Sequence, residues 1–252
     1  MAWNKDSIIN LATVDSTNSY LRDEAENLWN KHGEEGFIIV TAEHQTAGRG
    51  QRGNTWNSNA GENLLFSILV RPGESLKVTD QFLLSQAVSL AIHDAMQHYN
   101  IDVNLKWPND IYVGKRKLAG ILLELDYTGN SVEQAIIGIG INVNQEEFPV
   151  MERIPVSIKM LKKESLALDG ILTTIIDCFE HRYRQLHSNN RDVLATEYTK
   201  LLLGIDEVHC FVDKNGRFEG VIKGVEKDGH LIVQRKDGGC GRYAFKEIEM
   251  KL

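Results

Sequence analysis

The sequence is poor in several things. Its three cysteines, Cys178, Cys210 and Cys240, lie far apart and make no CxxC pair. That excludes a disulfide framework and a cysteine-held zinc site, and it suits a reducing compartment. The longest apolar runs, such as Leu64 to Val70 and Leu118 to Leu123, fall well short of the ~20 residues that cross a bilayer, and the first residues carry no apolar core of a secretory signal. Positive charge is not in excess: 28 Lys and Arg stand against 35 Asp and Glu, a net charge of -7. A dedicated nucleic-acid binder clusters cations against phosphates, so DNA binding is disfavoured. The eight histidines show no HExxH pair, and no repeat or low-complexity tract is present. The expectation is a cytoplasmic protein with no membrane and no nucleic acid among its partners. What remains is a globular mixture, 42% hydrophobic and 25% charged, long enough for one domain of ~200 residues and a small module.

Periodicity supplies the elements. Tyr20, Leu21, Ala25 and Leu28 recur at helical spacing, Phe37 to Thr41 is a short β-branched strand, and Leu64 to Val70 is a buried strand stopped by Pro72-Gly73. Leu84, Val88, Ala91, Ile92, Ala95, Met96 and Tyr99 form one face of a long helix. Strand-like segments over 103–113, 118–127 and 132–143 are separated by turns too short for a crossover helix, so they should be antiparallel neighbours. A second long helix carries Leu168, Ile171, Leu172, Ile175, Ile176, Phe179, Tyr183 and Leu186. The order predicts an α+β fold with a mixed, largely antiparallel sheet and helices on one face. After Gly204 short strands alternate with tight polar turns, which predicts a small antiparallel barrel. The domains are therefore expected at 1–203 and 204–252.

Four stretches carry candidate chemistry. In Gln45-Thr46-Ala47-Gly48-Arg49-Gly50-Gln51-Arg52-Gly53, glycines let backbone N–H groups approach an anion while guanidiniums neutralise it. The spacing is neither a Walker A loop nor a Rossmann fingerprint, and a plain surface loop has the same composition. Lys106-Trp107-Pro108-Asn109-Asp110 sets polar groups beside a proline that breaks a strand or marks an edge; phosphates, a divalent ion or a simple Asx turn all fit it. Arg116-Lys117 opens an apolar strand in which Gly120 permits a close approach, and Gly138-Ile139-Gly140-Ile141-Asn142 is a glycine-rich strand ending in an amide.

Together with Asp15-Ser16-Thr17-Asn18, and in this order, these stretches resemble the biotin protein ligases over roughly residues 12 to 145. The resemblance implies a class II synthetase-like biotin/lipoate ligase catalytic domain with an SH3-like C-terminal barrel. It implies a short form without an N-terminal DNA-binding domain. The implied activity uses ATP and Mg²⁺ to activate biotin as biotinyl-5′-AMP, then transfers it to a lysine of a biotin carboxyl carrier protein such as that of acetyl-CoA carboxylase. A monomer or homodimer is compatible. By resemblance the biotin site is Ser16, Thr17, Asn18, Gln45, Gly48, Arg49, Gly50, Gln51, Lys117 and Gly120. The ATP and adenylate site is Arg49, Arg52, Trp56, Lys106, Asn109, Lys117 and Asn142. Lys117 and Arg49 are the expected catalytic residues, and Asp110 the expected Mg²⁺ ligand.

One departure stands out: many relatives carry arginine directly after Gly-Arg-Gly, whereas this chain has Gln51 followed by Arg52. A lipoate ligase or octanoyltransferase is the nearest rival within the fold. A biotin-sensing module without turnover is the rival from another class.

Overall fold

A computed structural model describes residues 8–32, 36–150, 153–188, 191–236 and 238–252, with the side chain of Arg52 outside the described set. The larger sheet contains β1 (Ile9–Val14), β2 (Phe37–Gln45), β3 (Leu64–Val70), β4 (Gly73–Lys77), β5 (Asn104–Lys106), β6 (Asp110–Val113), β7 (Arg116–Thr128) and β8 (Ser131–Ile141). Its order is β1-β2-β3-β8-β7-β6-β5, with β4 added on β8. Only β1 and β2 run parallel; the other ladders are antiparallel. The helices are α1 (Thr17–His32), α2 (Phe82–His98), α3 (Ile158–Lys162), α4 (Leu168–Leu186) and α5 (Arg191–Lys200).

β3 is buried at all seven positions, as a near-continuous apolar run requires of a strand covered on both faces. Alternation then sorts the core. Phe37 and Ile39 of β2 join Phe66, Ile68 and Val70 of β3 in the large cluster with α2 and α4. Ile38 and Val40 join Leu69, Ile136 and the Leu21, Ala25 and Leu28 stripe of α1 in a second cluster. Successive strand side chains point to opposite faces, so α1 lies on the face opposite α2 and α4. The expected single helical face describes α2 and α4; α1 is an additional helix on the other side. It stops short of covering that face, and the uncovered part becomes the cleft described below.

The segment expected as one strand over 103–113 is a hairpin. β5 and β6 pair Lys106 with Asp110, and the turn between them is Trp107-Pro108-Asn109, with a cis Trp107–Pro108 peptide. β5 is the edge of the sheet, and Pro108 lies beyond its end in the turn, where it costs no ladder bond. The chain at 201–203 runs along this edge, with Leu105 N–H donating to Leu201 O and Leu203 N–H to Leu105 O, both at 2.9 Å.

The smaller sheet is antiparallel, β9 (Val208–Asp213), β10 (Gly216–Val225), β11 (Leu231–Arg235), β12 (Cys240–Tyr243) and β13 (Ile248–Lys251), in the order β12-β11-β10-β9-β13. A bulge at Ile222–Gly224 bends β10. Phe211, Ile222, Leu231 and Val233 of this sheet belong to the same buried cluster as the α2–α4 layer. No helix among the described residues is long and apolar enough to cross a membrane.

Candidate active site

Register decides where the cleft forms. Across β3, β8 and β7, Ser67 faces Gly138 and Leu122, while Leu65 faces Gly140 and Gly120; Gly120 in turn pairs with Asp110 of β6. These rows lie on the α1 face. Three of their positions are glycine, so the sheet there has a floor of bare backbone. A Cβ at Gly138 would overlap Asn18, one at Gly140 would overlap the Trp56 indole, and one at Gly120 would meet Trp56 at 3.1 Å and Lys117 Nζ at 3.2 Å. A cleft lies over this floor and opens to solvent at its mouth.

One end of the cleft is a buried polar recess. The start of α1 brings in Ser16, Thr17 and Asn18, each 2–3% exposed. Gln45 Oε1 accepts from Thr17 N–H at 2.8 Å and from Thr17 Oγ1 at 3.1 Å. Since that oxygen is committed, the Gln45 amide presents its Nε2 donors to the site. Ser67, fully buried, lies 2.7 Å from Thr17 Oγ1 and 2.6 Å from Asn18 Oδ1. Asn18 Nδ2 donates to Glu124 Oε2 at 2.9 Å. The recess is thus a set of amides and hydroxyls whose orientations are fixed by one another, as buried polar groups require.

The loop between β2 and β3 forms one wall. Backbone bonds from Gly50 to Asn54 O (2.7 Å) and from Trp56 to Gly48 O (2.9 Å) make it a narrow hairpin. Gly48 sits at its base, against Gln45 Nε2 and the Trp56 carbonyl. Gly50 and Gln51 line the cleft. Arg49 reaches Glu124, with Nη2 at 2.7 Å from Oε1 and Nη1 at 3.2 Å from Oε2.

The other end of the cleft is charged. Asp110, 5% exposed, takes Lys117 Nζ on Oδ1 at 2.7 Å and Arg153 Nη1 on Oδ2 at 2.6 Å. Lys117 Nζ also stands 5.4 Å above the Trp56 ring, within cation–π range. Trp56 Nε1 and Gln51 Oε1 are buried and have no hydrogen-bond partner among the described residues. An indole N–H is a donor only, and one left unpaired beside Lys117 suits an anionic acceptor.

The structure gathers Ser16, Thr17, Asn18, Gln45, Arg49, Gly50, Gln51, Trp56, Asn109, Asp110, Lys117 and Gly120 around one cleft, from stretches far apart in sequence. Three expected residues sit elsewhere. Lys106 lines the adjoining cavity on the far side of Asn109 and Asp110, where burial above all, then repulsion from Arg153, lowers its pKa. Asn142 is 4% exposed and spends its Nδ2 on the Lys117 and Val156 carbonyls, so it props the lysine strand and borders a second cavity beside Trp56. Gly48 acts through its backbone. The Arg52 side chain lies outside the described residues.

Asp110, the expected magnesium ligand, carries Lys117 on one carboxylate oxygen and Arg153 on the other. The residues not foreseen are Ser67, Glu124, Arg153 and Phe245. Ser67 is the single hydroxyl in an apolar strand, and Glu124 follows Gly120 and Leu122 at period two, so both left a trace in the sequence. Arg153 and Phe245, which line the cleft, left none.

Known proteins can now be set beside this geometry. The chain is 33% identical over 217 residues to the bifunctional ligase/repressor BirA of Bacillus subtilis, an alignment covering 85% of this chain and 66% of that protein. This chain therefore spans just under two thirds of that relative's length. It is 28% identical over 247 residues to the biotin–[acetyl-CoA-carboxylase] ligase of Paracoccus denitrificans, covering 95% and 98%. The fold superposes on the biotin protein ligase of Aquifex aeolicus, solved in complex with biotin and ATP, with a TM-score of 0.79 at 24% identity, over 97% of this chain and 98% of that one. The sequence model of the biotin/lipoate A/B protein ligase family matches residues 11–142, the span that builds the recess, the loop and the glycine floor, and the chain belongs to that family.

Proposed function

We propose that this chain is a biotin–protein ligase that activates biotin with ATP and transfers it to a lysine of a biotin carboxyl carrier protein. The observation that carries the reading is the polarity of the cleft. A neutral recess of oriented amides and hydroxyls lies at one end, cations lie at the other, and a bare backbone floor joins them. A urea-like head group needs both donors and acceptors once it is taken out of water, and Thr17, Asn18 and Gln45 supply them. The acyl chain would run from Asn18 past the Trp56 indole, the two side chains that the glycine floor makes room for, which leaves its carboxylate beside Lys117.

In the first step a carboxylate oxygen bonds to the α-phosphorus of ATP, the bond to the bridging oxygen breaks, and pyrophosphate leaves, giving biotinyl-5′-AMP. Lys117, Arg153 and the Trp56 N–H would meet the negative charge that builds on the phosphoryl oxygens. In the second step the carrier lysine amine attacks the acyl carbonyl, AMP departs and the amine loses a proton to solvent. Residues 1–203 would supply the acid and phosphate contacts, and residues 204–252 a module that braces the nucleotide end through Phe245 and Trp107.

The test is a purified biotin carrier domain incubated with the chain, ATP, Mg²⁺ and biotin. A mass gain of one biotinyl group on one lysine is expected. Because the family also includes lipoate ligases, lipoate and octanoate are offered as competing acids. Faster ATP–pyrophosphate exchange with either of them than with biotin would overturn the reading.

A further inference from the structure

Between the two chemical steps the cleft has to keep an acyl adenylate, which carries one negative charge on its phosphate. Part of the charged end is already balanced. Lys117 Nζ lies 2.7 Å from Asp110 Oδ1, and that pair taken by itself is neutral. Gln51, which lines the cleft from the β2–β3 loop at the position where many relatives carry arginine, is an amide whose Oε1 is buried without a partner. The excess positive charge comes from the other wall. Arg153 lines the cleft from the segment between β8 and α3 and gives Nη1 to Asp110 Oδ2 at 2.6 Å. A guanidinium has five N–H donors in a fixed fork, so Nη2 and Nε remain for a ligand. With Arg153 included, the cluster of Asp110, Lys117 and Arg153 carries one net positive charge, the complement of one phosphate.

Backbone bonds set Arg153 beside Lys117: Lys117 N–H donates to Ile154 O at 2.8 Å, and Val156 N–H to Lys117 O at 2.9 Å. Arg153 also borders the two adjoining cavities, one containing Lys106 and one containing Asn142 and Phe148. Asn54 borders the same three spaces and is tied to Gln51 through its N–H to Gln51 O at 3.3 Å. The guanidinium therefore stands where the spaces meet, close to the loop residue that has no charge. We propose that Arg153 holds the phosphate of the adenylate between the two steps, delivering from the β8–α3 segment the cation that the loop lacks at Gln51. The inference rests on the adenylating reading given above, whichever acid is activated. It divides the work between two cations: Lys117 acts on the reacting carboxylate and phosphate, and Arg153 sets how long the product of the first step stays. An arginine suits this place because its planar fork can give one edge to Asp110 and another to a phosphate. A lysine would keep the charge without the fork.

Retention is read by forming the adenylate from labelled biotin, ATP and Mg²⁺, removing free label on a desalting column, and following release into excess unlabelled biotin. Arg153→Gln should release the adenylate about tenfold faster than the wild-type chain, the equivalent of ~1.4 kcal/mol, with Arg153→Lys between the two. Affinity for biotin alone, by calorimetry, should stay within about twofold, as for groups that share no partner. A side chain that only steadied Asp110 would instead lower the melting temperature and weaken both ligands together. The double variant Gln51→Arg/Arg153→Gln moves the charge from one wall to the other, and its release rate should return to within about threefold of wild type. Wild-type retention in Arg153→Gln overturns the proposal, and so does a double variant that releases as fast as Arg153→Gln. Faster release from Arg52→Gln than from Arg153→Gln also overturns it, since the charge would then come from the loop. If lipoate or octanoate forms an adenylate and biotin does not, the biotin reading fails, and the same variants are compared on that acid's adenylate. If none of the three acids forms one, the proposal falls with the adenylating reading.

Discussion

Lys117 Nζ stands 2.7 Å from Oδ1 of Asp110, so the cation expected to act on a reacting carboxylate and phosphate is already held by a protein carboxylate. Arg153 holds the second oxygen of the same group. Asp110 keeps two positive groups aimed into one spot and prevents their mutual repulsion from splaying them apart.

Replacing Lys117 by Ala should therefore reduce adenylate formation strongly while leaving the fold intact, because Asp110 retains Arg153. Loss of a charge aimed at a developing anion costs about 3 kcal/mol, roughly a hundredfold in rate. Initial rates of pyrophosphate release measure this, and near-normal rates would reject Lys117 as the residue at the reacting phosphate.

Asp110→Asn tests the ion-pair role against a metal-ligand role. The variant should lose on the order of 1–3 kcal/mol of stability, as expected when a buried charged hydrogen-bond partner is removed. The Mg²⁺ concentration giving half-maximal exchange should not move. A large rise in that concentration, with stability unchanged, would show Asp110 to be a metal ligand.

Ser67→Ala removes the hydroxyl that faces both Thr17 and Asn18. With Asn18 Oδ1 left unsatisfied in a dry site, the loss should be about 1–3 kcal/mol in unfolding free energy. Biotin affinity by calorimetry should fall as well. Wild-type affinity in a destabilised protein would show that Ser67 serves the core alone.

Gly140→Ala places a methyl group where the Trp56 indole lies. The methyl group would meet the middle of the indole, and a ring carried on a loop gives way more easily than a central strand, so the fold should survive while Trp56 is displaced. A changed tryptophan emission spectrum and activity reduced about tenfold or more are expected, in keeping with the sensitivity of rate to small misplacements. Unaltered emission and turnover would mean that the floor need not be bare.

The legible part of this molecule was its apolar periodicity. β3 spans Leu64–Val70 and α4 Leu168–Leu186, the bounds that the buried runs suggest. β1, β4 and α5 were not legible, since short, half-exposed segments carry little pattern: β1 alternates weakly and α5 buries only Leu194 and Tyr198. The β5–β6 hairpin read as one strand because its turn is a proline break with apolar residues on either side. In the cleft, glycines and amides announced themselves by type and order. Arg153 did not, because an arginine in a polar loop is unremarkable until folding brings it beside Asp110. Phe245 was hidden for the same reason, at a sequence distance no local pattern spans.

The Trp107 indole donates to the Gly229 carbonyl at 2.9 Å, and the same ring meets Phe245 edge-on with centroids 6.2 Å apart. This contact ties the cleft to the far end of the chain. Residues 16–140 supply the recess, the loop and the glycine floor, whereas Phe245, from the C-terminal sheet, lines the cleft beside Arg153. A chain cut between the two keeps the floor and loses part of the wall, so the one site is assembled from both ends of the sequence.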